Sequence, residues 1–311
     1  MPTDRKPVKS QVMVITGASS GIGLATALAA ADRGAKVVLA ARSETTLTTL
    51  ADHLTTAGAS AVSVIADVSR REDVERIATT AIETWGRIDT WVNDAAVGAF
   101  GRLDDMLDDD SRRIFDINFW GVVYGSLVAL PHLKASRGTL INLGSEVSEA
   151  VIPLQGIYSA SKHAVKAFTD ALRLELEADG SPVRIALVQP TAVNTPFPEN
   201  AANYLKQEPK LPTPMIDPEK VAQAILNAAE DPADHIKVGV MSNVNTTMAK
   251  IAPPIAEQFA KLQMGRMQRD EPGHAREGTL YTAGERGRTH GRGNENPAPM
   301  RSARESNRKP A

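Results

Sequence analysis

The sequence predicts an α/β protein built on a doubly wound, parallel, seven-stranded sheet, in a single domain with a C-terminal extension. Two observations carry this. Short β-branched runs alternate with longer helix-length segments over the first 240 residues, and a glycine-rich turn joins the first such run to the first helix. Alternation of this kind yields parallel strands with helices packed on both faces.

Strands are read at Gln11–Thr16, Lys36–Ala41, Ala61–Ala66, Thr90–Asn93, Thr139–Leu143, Val183–Val188 and His235–Val240. Val12–Ile15 and Val37–Ala40 are continuously apolar, as strands buried on both faces require. Helices are expected at Gly23–Arg33, Glu44–Thr56, Arg71–Trp85, Asp109–Leu133, Tyr158–Asp179 and Pro218–Glu230. Six prolines between Pro196 and Pro218 remove backbone donors and fix dihedrals, so residues 196–217 read as a long loop. Such a loop lies beyond the carboxyl ends of the strands, where it can cover a ligand. The folded domain is therefore assigned to residues 1–264. From Gly265 onward there are ten Lys/Arg against six Asp/Glu and few large apolar groups, so residues 265–311 read as a disordered basic tail.

Composition narrows the function. A net charge of −2 gives no long-range field for nucleic acid, and the absence of cysteine excludes disulfides, thiolate metal sites and cysteine nucleophiles. The histidines are scattered without ligand spacing, so no metal is expected. Gln11–Gly23 is too polar and glycine-rich to be the core of a signal peptide, which points to the cytoplasm. The longest apolar run, Phe119–Leu130, is short for a bilayer and contains Gly121, Gly125 and Ser126, so it reads as a buried helix. Ile251, Ile255, Phe259 and Leu262 recur at helical spacing, interrupted by Pro253 and Pro254, and are expected to pack on the protein's own body rather than on a membrane.

The first chemical motif is Thr16-Gly17-Ala18-Ser19-Ser20-Gly21-Ile22-Gly23, between strand and helix. Gly17 permits a sharp turn, Gly21 lets backbone approach a pyrophosphate, and Gly23 lets helix and strand pack closely. The free N–H groups of the helix start then face the anion. The second motif is Tyr158-Ser159-Ala160-Ser161-Lys162, which sets a phenol and an ammonium on one helix face. The cation favours the phenolate, so the pair suits proton transfer. Ser145, just after the fifth strand, would bring a hydroxyl to the same crevice.

Together these spacings resemble the short-chain dehydrogenase/reductase family, over about Gln11–Val240. The resemblance implies a Rossmann-type domain with Ser145, Tyr158 and Lys162 catalytic, and Asn118 as a fourth member holding a water in a relay to Lys162. It further implies that Asp67 and Val68 lie by the adenine ring, that Asn93 supports the central turn ahead of Ala95, and that Pro190, Val193 and Thr195 follow the cofactor. Two departures fall on cofactor-facing turns: Asn93-Asp94-Ala95-Ala96 where the family commonly has Asn-Asn-Ala-Gly, and Pro190-Thr191 where it has Pro-Gly.

The second strand ends on Ala41-Arg42 rather than on the carboxylate that holds the ribose of NAD. A guanidinium there suits a 2′-phosphate, with hydroxyls from Ser19 and Ser43, so NADP(H) is the expected cofactor. The glycine turn lacks a second basic residue, which leaves NAD(H) use open. The expected activity is interconversion of a carbonyl and an alcohol; the alternative is a non-catalytic NADP(H)-binding sensor or scaffold. Val151, Ile152, Leu154, Phe197, Leu205, Leu211 and Met215 suggest a bulky apolar substrate. Ala164, Ala167, Phe168, Ala171 and Leu172 suggest an apolar face for a homodimer or homotetramer.

Overall fold

The structure, a computed structural model, describes residues 6–274, 276–285 and 287–293. Its first half runs β1 (Val12–Thr16), α1 (Gly21–Asp32), β2 (Lys36–Ala41), α2 (Glu44–Thr56), β3 (Ser60–Ile65), α3 (Arg71–Trp85), β4 (Thr90–Asn93), β5 (Ala99–Phe100), α4 (Asp108–Phe115) and α5 (Gly121–Ser136). Then follow β6 (Thr139–Leu143), α6 (Gly156–Ala178), β7 (Arg184–Pro190), α7 (Phe197–Asn200), β8 (Ala202–Asn203) and β9 (Gln207–Pro209). The last elements are α8 (Pro218–Glu230), β10 (His235–Val238), α9 (Val240–Ile251), α10 (Pro253–Gln263) and β11 (Gln268–Pro272).

Seven parallel strands lie in the order β10-β7-β6-β4-β1-β2-β3. The chain builds outward from β1 to β3, then crosses to β4 and builds the other way. The reversal between β1 and β4 opens a crevice at the carboxyl ends of the strands. Val14 aligns with Val38 on one side and Trp91 on the other, and every residue of β1 is buried. One layer packs Leu24, Leu47, Leu50 and Ile225 against Ile15, Leu39 and Ile141; the other packs Ile77, Leu133 and Leu172 against Val14, Val38 and Trp91. Both faces of the sheet are covered, which is why its strands carry no polar alternation.

The helix expected at Asp109–Leu133 is interrupted by a π-helical turn, Asp116–Trp120, between α4 and α5. By length and composition Asp108–Ser136 could cross a bilayer, but half of its most apolar window is buried inside the fold.

Three expectations are corrected. The proline-rich stretch is not wholly irregular: it forms α7 and two short strands, β8 pairing with β5 and β9 with β11. The disordered tail expected from Gly265 is instead, over its described part, laid against the body. Met267 and Leu280 are fully buried there, and β11 completes an antiparallel pair. Two buried apolar anchors and backbone pairing to β9 supply what overall composition did not reveal. Residues 294–311 lie outside the described residues. Ile251 at the end of α9, and Ile255, Phe259 and Leu262 on α10, are exposed; α9 meets the body through polar contacts, Ser242 Oγ donating to Gln189 O and Asn245 Nδ2 to Glu146 Oε2. On α6, Leu172 is buried and Phe168 packs edge-on to Phe119, while Ala167 and Ala171 are exposed.

Candidate active site

A cleft at the sheet's carboxyl edge is lined by Gly17, Ser19, Ser20, Gly21 and Ile22, by Arg42 and Ser43, by Asp67 and Val68, and by Asp94 to Gly98. Its other end is lined by Ser145, Tyr158 and Lys162, by Pro190 to Val193, and by Thr195 to Phe197. Most of the residues singled out in the sequence therefore meet in one place. Gly23, Asn93 and Asn118 stand behind its wall.

The glycine turn is built for close approach. Gly17 and Gly21 have positive φ, at 74° and 56°. A Cβ on Gly23 would lie 2.3 Å from Gly17 O and 2.7 Å from Asp94 Oδ2, so only glycine lets α1 start against the turn. Thr16 Oγ1 accepts from the N–H groups of Asp94 and Ala95, fastening the turn after β4 to the end of β1. Asn93 is structural: its Nδ2 donates to Asn142 Oδ1 at 2.9 Å, while its Oδ1 accepts from Trp91 Nε1 at 2.8 Å. Beyond β3, Asp67 receives Ser69 and Arg113. Burial opposes its charge, but these hydrogen bonds outweigh burial and hold it below the ordinary carboxylate range.

At the other end, Ser145 caps the 3₁₀ turn Glu146–Ser148. Its Oγ accepts from Val147 N–H at 3.3 Å, leaving its own proton free to donate into the cleft. Lys162 is almost fully buried; its Nζ lies 5.7 Å from the centroid of the Tyr158 ring and donates to Leu143 O at 2.7 Å. The Tyr158 ring packs on Phe197, with centroids 5.0 Å apart. Burial pushes the Tyr158 phenol up, and the Asp94 carboxylate adds to this. Burial also lowers the Lys162 ammonium and raises the Asp94 carboxyl, while their mutual attraction opposes both shifts.

Asn118 occupies the π turn, fully buried. Its Nδ2 donates to Val97 O and Ser161 Oγ, and its Oδ1 accepts from Val97 N–H at 2.8 Å. The side chain thus clamps the wall beside Val97. The Thr191 departure also has a local reason. Its hydroxyl bonds the buried Glu146 carboxyl, next to Ser145, and burial raises that carboxyl. Arg42 lines the cleft as expected, yet it donates to Leu280 O and Thr279 O.

Of the apolar residues expected around the substrate, Ile152, Phe197 and Leu211 line the cleft. Val151 is exposed, and Leu154, Leu205 and Met215 are not on the lining. Sequence reading missed Gln155, whose buried Nε2 has no hydrogen-bond partner beside the cleft, and Thr279, Ala283 and Gly284, which wall its far end. Gln155 stands one turn before Tyr158, a spacing that could have flagged it. Nothing local flags the other three.

The family model described as short chain dehydrogenase matches residues 11–205. The chain is 44% identical over 284 residues to the uncharacterized oxidoreductase YxnA of Bacillus subtilis (strain 168), covering 90% of this chain and 80% of that one. An alcohol dehydrogenase from the archaeon Thermococcus sibiricus, complexed with 5-hydroxy-NADP, superposes with a TM-score of 0.65 at 29% identity, covering 73% of this chain and 95% of that one. A short chain dehydrogenase/reductase from Burkholderia phymatum, in complex with NAD, superposes with a TM-score of 0.71 at 28% identity, covering 79% and 94%. The chain belongs to the short-chain dehydrogenase family of oxidoreductases.

Proposed function

We propose that the protein interconverts a bulky apolar ketone and its alcohol, using NADP(H) as cofactor and Tyr158 as acid/base. The observation that carries this is the meeting of Ser145, Tyr158 and Lys162 at one end of a cleft whose other end is the glycine turn. When bound, the reduced dinucleotide supplies a hydride to the carbonyl carbon. Tyr158 gives its proton to the carbonyl oxygen, and takes it back in the reverse direction. Ser145, with its proton free, donates to the same oxygen as charge develops there. Lys162, held by Leu143 O, contributes a fixed cation beside the ring.

The residues present fit a dinucleotide. Gly17 and Gly21 permit its close approach, and the start of α1 offers N–H groups to its phosphates. Arg42 follows Ala41, so the strand end holds a cation and no carboxylate for the adenosine ribose. That arrangement favours a 2′-phosphate. Ile152, Phe197 and Leu211 supply the apolar wall, and Gln155 offers a donor to a second substrate oxygen. Exposed Trp120, Leu127 and Leu174 offer faces for a homodimer or homotetramer. A non-catalytic sensor would have no need of a serine with a free proton beside the tyrosine.

The test is a kcat/KM comparison of NADPH and NADH across bulky apolar ketones. NADPH is expected to be preferred, and Ala41→Asp/Arg42→Ala to move the ratio toward NADH by about 10- to 100-fold. A native preference for NADH, or a ratio the double change leaves alone, contradicts the cofactor assignment.

A further inference from the structure

Residues 279–285 and 287–291 lie along the cleft at the end where Arg42 stands, and they take up the groups that would receive an anion there. Arg42 Nη1 donates to Leu280 O at 2.8 Å and Nη2 to Thr279 O at 2.5 Å. Ser43 Oγ donates to Gly284 O at 2.7 Å. Glu285 Oε2 accepts from Thr46 N–H at 2.9 Å and from Thr46 Oγ1 at 2.7 Å, so its carboxylate sits on the first turn of α2. Gly21 N–H, in the glycine turn, donates to Arg288 O at 3.0 Å, and Gly291 N–H to Asn194 O at 3.3 Å.

The segment is anchored rather than merely resting there. Leu280 is fully buried, its carbonyl also accepts from Arg113 Nε at 3.1 Å, and Thr279 donates through both N–H and Oγ1 to Asn200 O. The cleft persists beneath it, since Thr279, Ala283 and Gly284 share its lining with Ser19, Arg42 and Asp67. The segment is thus a roof over the adenosine end of the site.

The two nicotinamide dinucleotides meet this roof differently. A 2′-hydroxyl is neutral and small. A 2′-phosphate carries a charge of about −1.5 to −2 and seeks the Arg42 guanidinium and free N–H groups. Under the closed roof those donors already hold two carbonyls and a carboxylate, and the carboxylate repels a second anion.

We propose that Thr279–Glu285 is a cofactor-selective strap. Either dinucleotide displaces the Arg288 carbonyl from Gly21 N–H, but NAD(H) leaves Thr279–Glu285 in place, whereas NADP(H) displaces it from Arg42, Ser43 and the start of α2. Glu285 is the specificity-determining residue, standing as an exposed intramolecular anion in competition with the 2′-phosphate. The inference rests on the reading of Arg42 given above and deepens it.

The experiment follows hydrogen exchange over residues 276–285 of the full-length protein with saturating NAD⁺, NADP⁺ or 2′,5′-ADP, and measures the Kd of each. NADP⁺ and 2′,5′-ADP are expected to speed exchange of the Thr279 and Leu280 amides at least about tenfold over the NAD⁺ complex. Glu285→Gln keeps an acceptor for Thr46 and removes the charge, so it should tighten NADP⁺ relative to NAD⁺ by about threefold, and Glu285→Ala by about tenfold. Protection of 276–285 by NADP⁺ equal to that by NAD⁺ overturns the strap. So does an unchanged Kd ratio in both variants, even if Arg42→Ala still weakens NADP⁺ selectively and Arg42 stands as the phosphate reader. If Arg42→Ala leaves the ratio where it was, the reading of Arg42 falls, and the strap's selectivity with it.

Discussion

At Tyr158, burial and the Asp94 carboxylate act in the same direction, both disfavouring the phenolate. The i to i+4 spacing of Tyr158 and Lys162 predicts that the ammonium supplies part of a lowering of the phenol. Burial sets the opposite direction, because desolvation penalises the phenolate. The sign of the pH dependence follows. A raised phenol stays protonated through neutral pH, so Tyr158 itself imposes no loss of carbonyl reduction there, while alcohol oxidation, which needs the phenolate, should rise with pH. Rate profiles in both directions check this; an alcohol-oxidation rate that falls as pH rises would contradict it. Gly23 gives a second residue-level prediction. A methyl group there meets Gly17 O and the Asp94 carboxylate, so Gly23→Ala should cost about 1–3 kcal/mol of stability in denaturant titration and weaken dinucleotide binding. Native stability and affinity in that variant would show that the turn yields more than its packing implies.

Among the elements, the sheet and the glycine turn were legible because their signals are local: continuous apolarity marks a doubly covered strand, and three glycines between strand and helix mark an anion turn. The seven strands read from the sequence are the seven of the sheet, with ends differing by a residue or two. The π turn around Asn118 was not legible, since its cause is tertiary: the amide bonds Val97 and Ser161. The segment after Met264 misled for the same reason. Its glycine- and arginine-rich composition resembles a solvated tail, yet Met267 and Leu280 fill cavities formed by distant parts of the chain. Truncation after Met264 should therefore lower the melting temperature by about 5 °C or more, through loss of two buried side chains and the β9–β11 pair. Differential scanning calorimetry decides this, and an unchanged Tm would mean that the docked segment adds no net stability.

For the molecule as a whole, the residues that the family model matches build a platform for the cleft, and Thr279, Ala283 and Gly284 from far along the chain wall one end of it. Ser145, Tyr158 and Lys162 could be found from sequence because spacing along one strand end and one helix brings them together. Arg42 was found too, but its partners were not, because Thr279 and Leu280 lie more than 230 positions away. Contacts at that separation leave no periodicity to read. On the proposed function, hydride transfer takes place on this platform with Tyr158 supplying the proton. The measurement that tests it most directly is single-turnover oxidation of NADPH by an apolar ketone, followed at 340 nm in the native protein and in Tyr158→Phe. That variant keeps the ring against Phe197 and removes only the ionisable oxygen. The account predicts rapid turnover in the native protein, a rate at least about 10³-fold lower in Tyr158→Phe, and nearly equal NADPH binding in both. A variant that binds NADPH and keeps most of the native rate would contradict it.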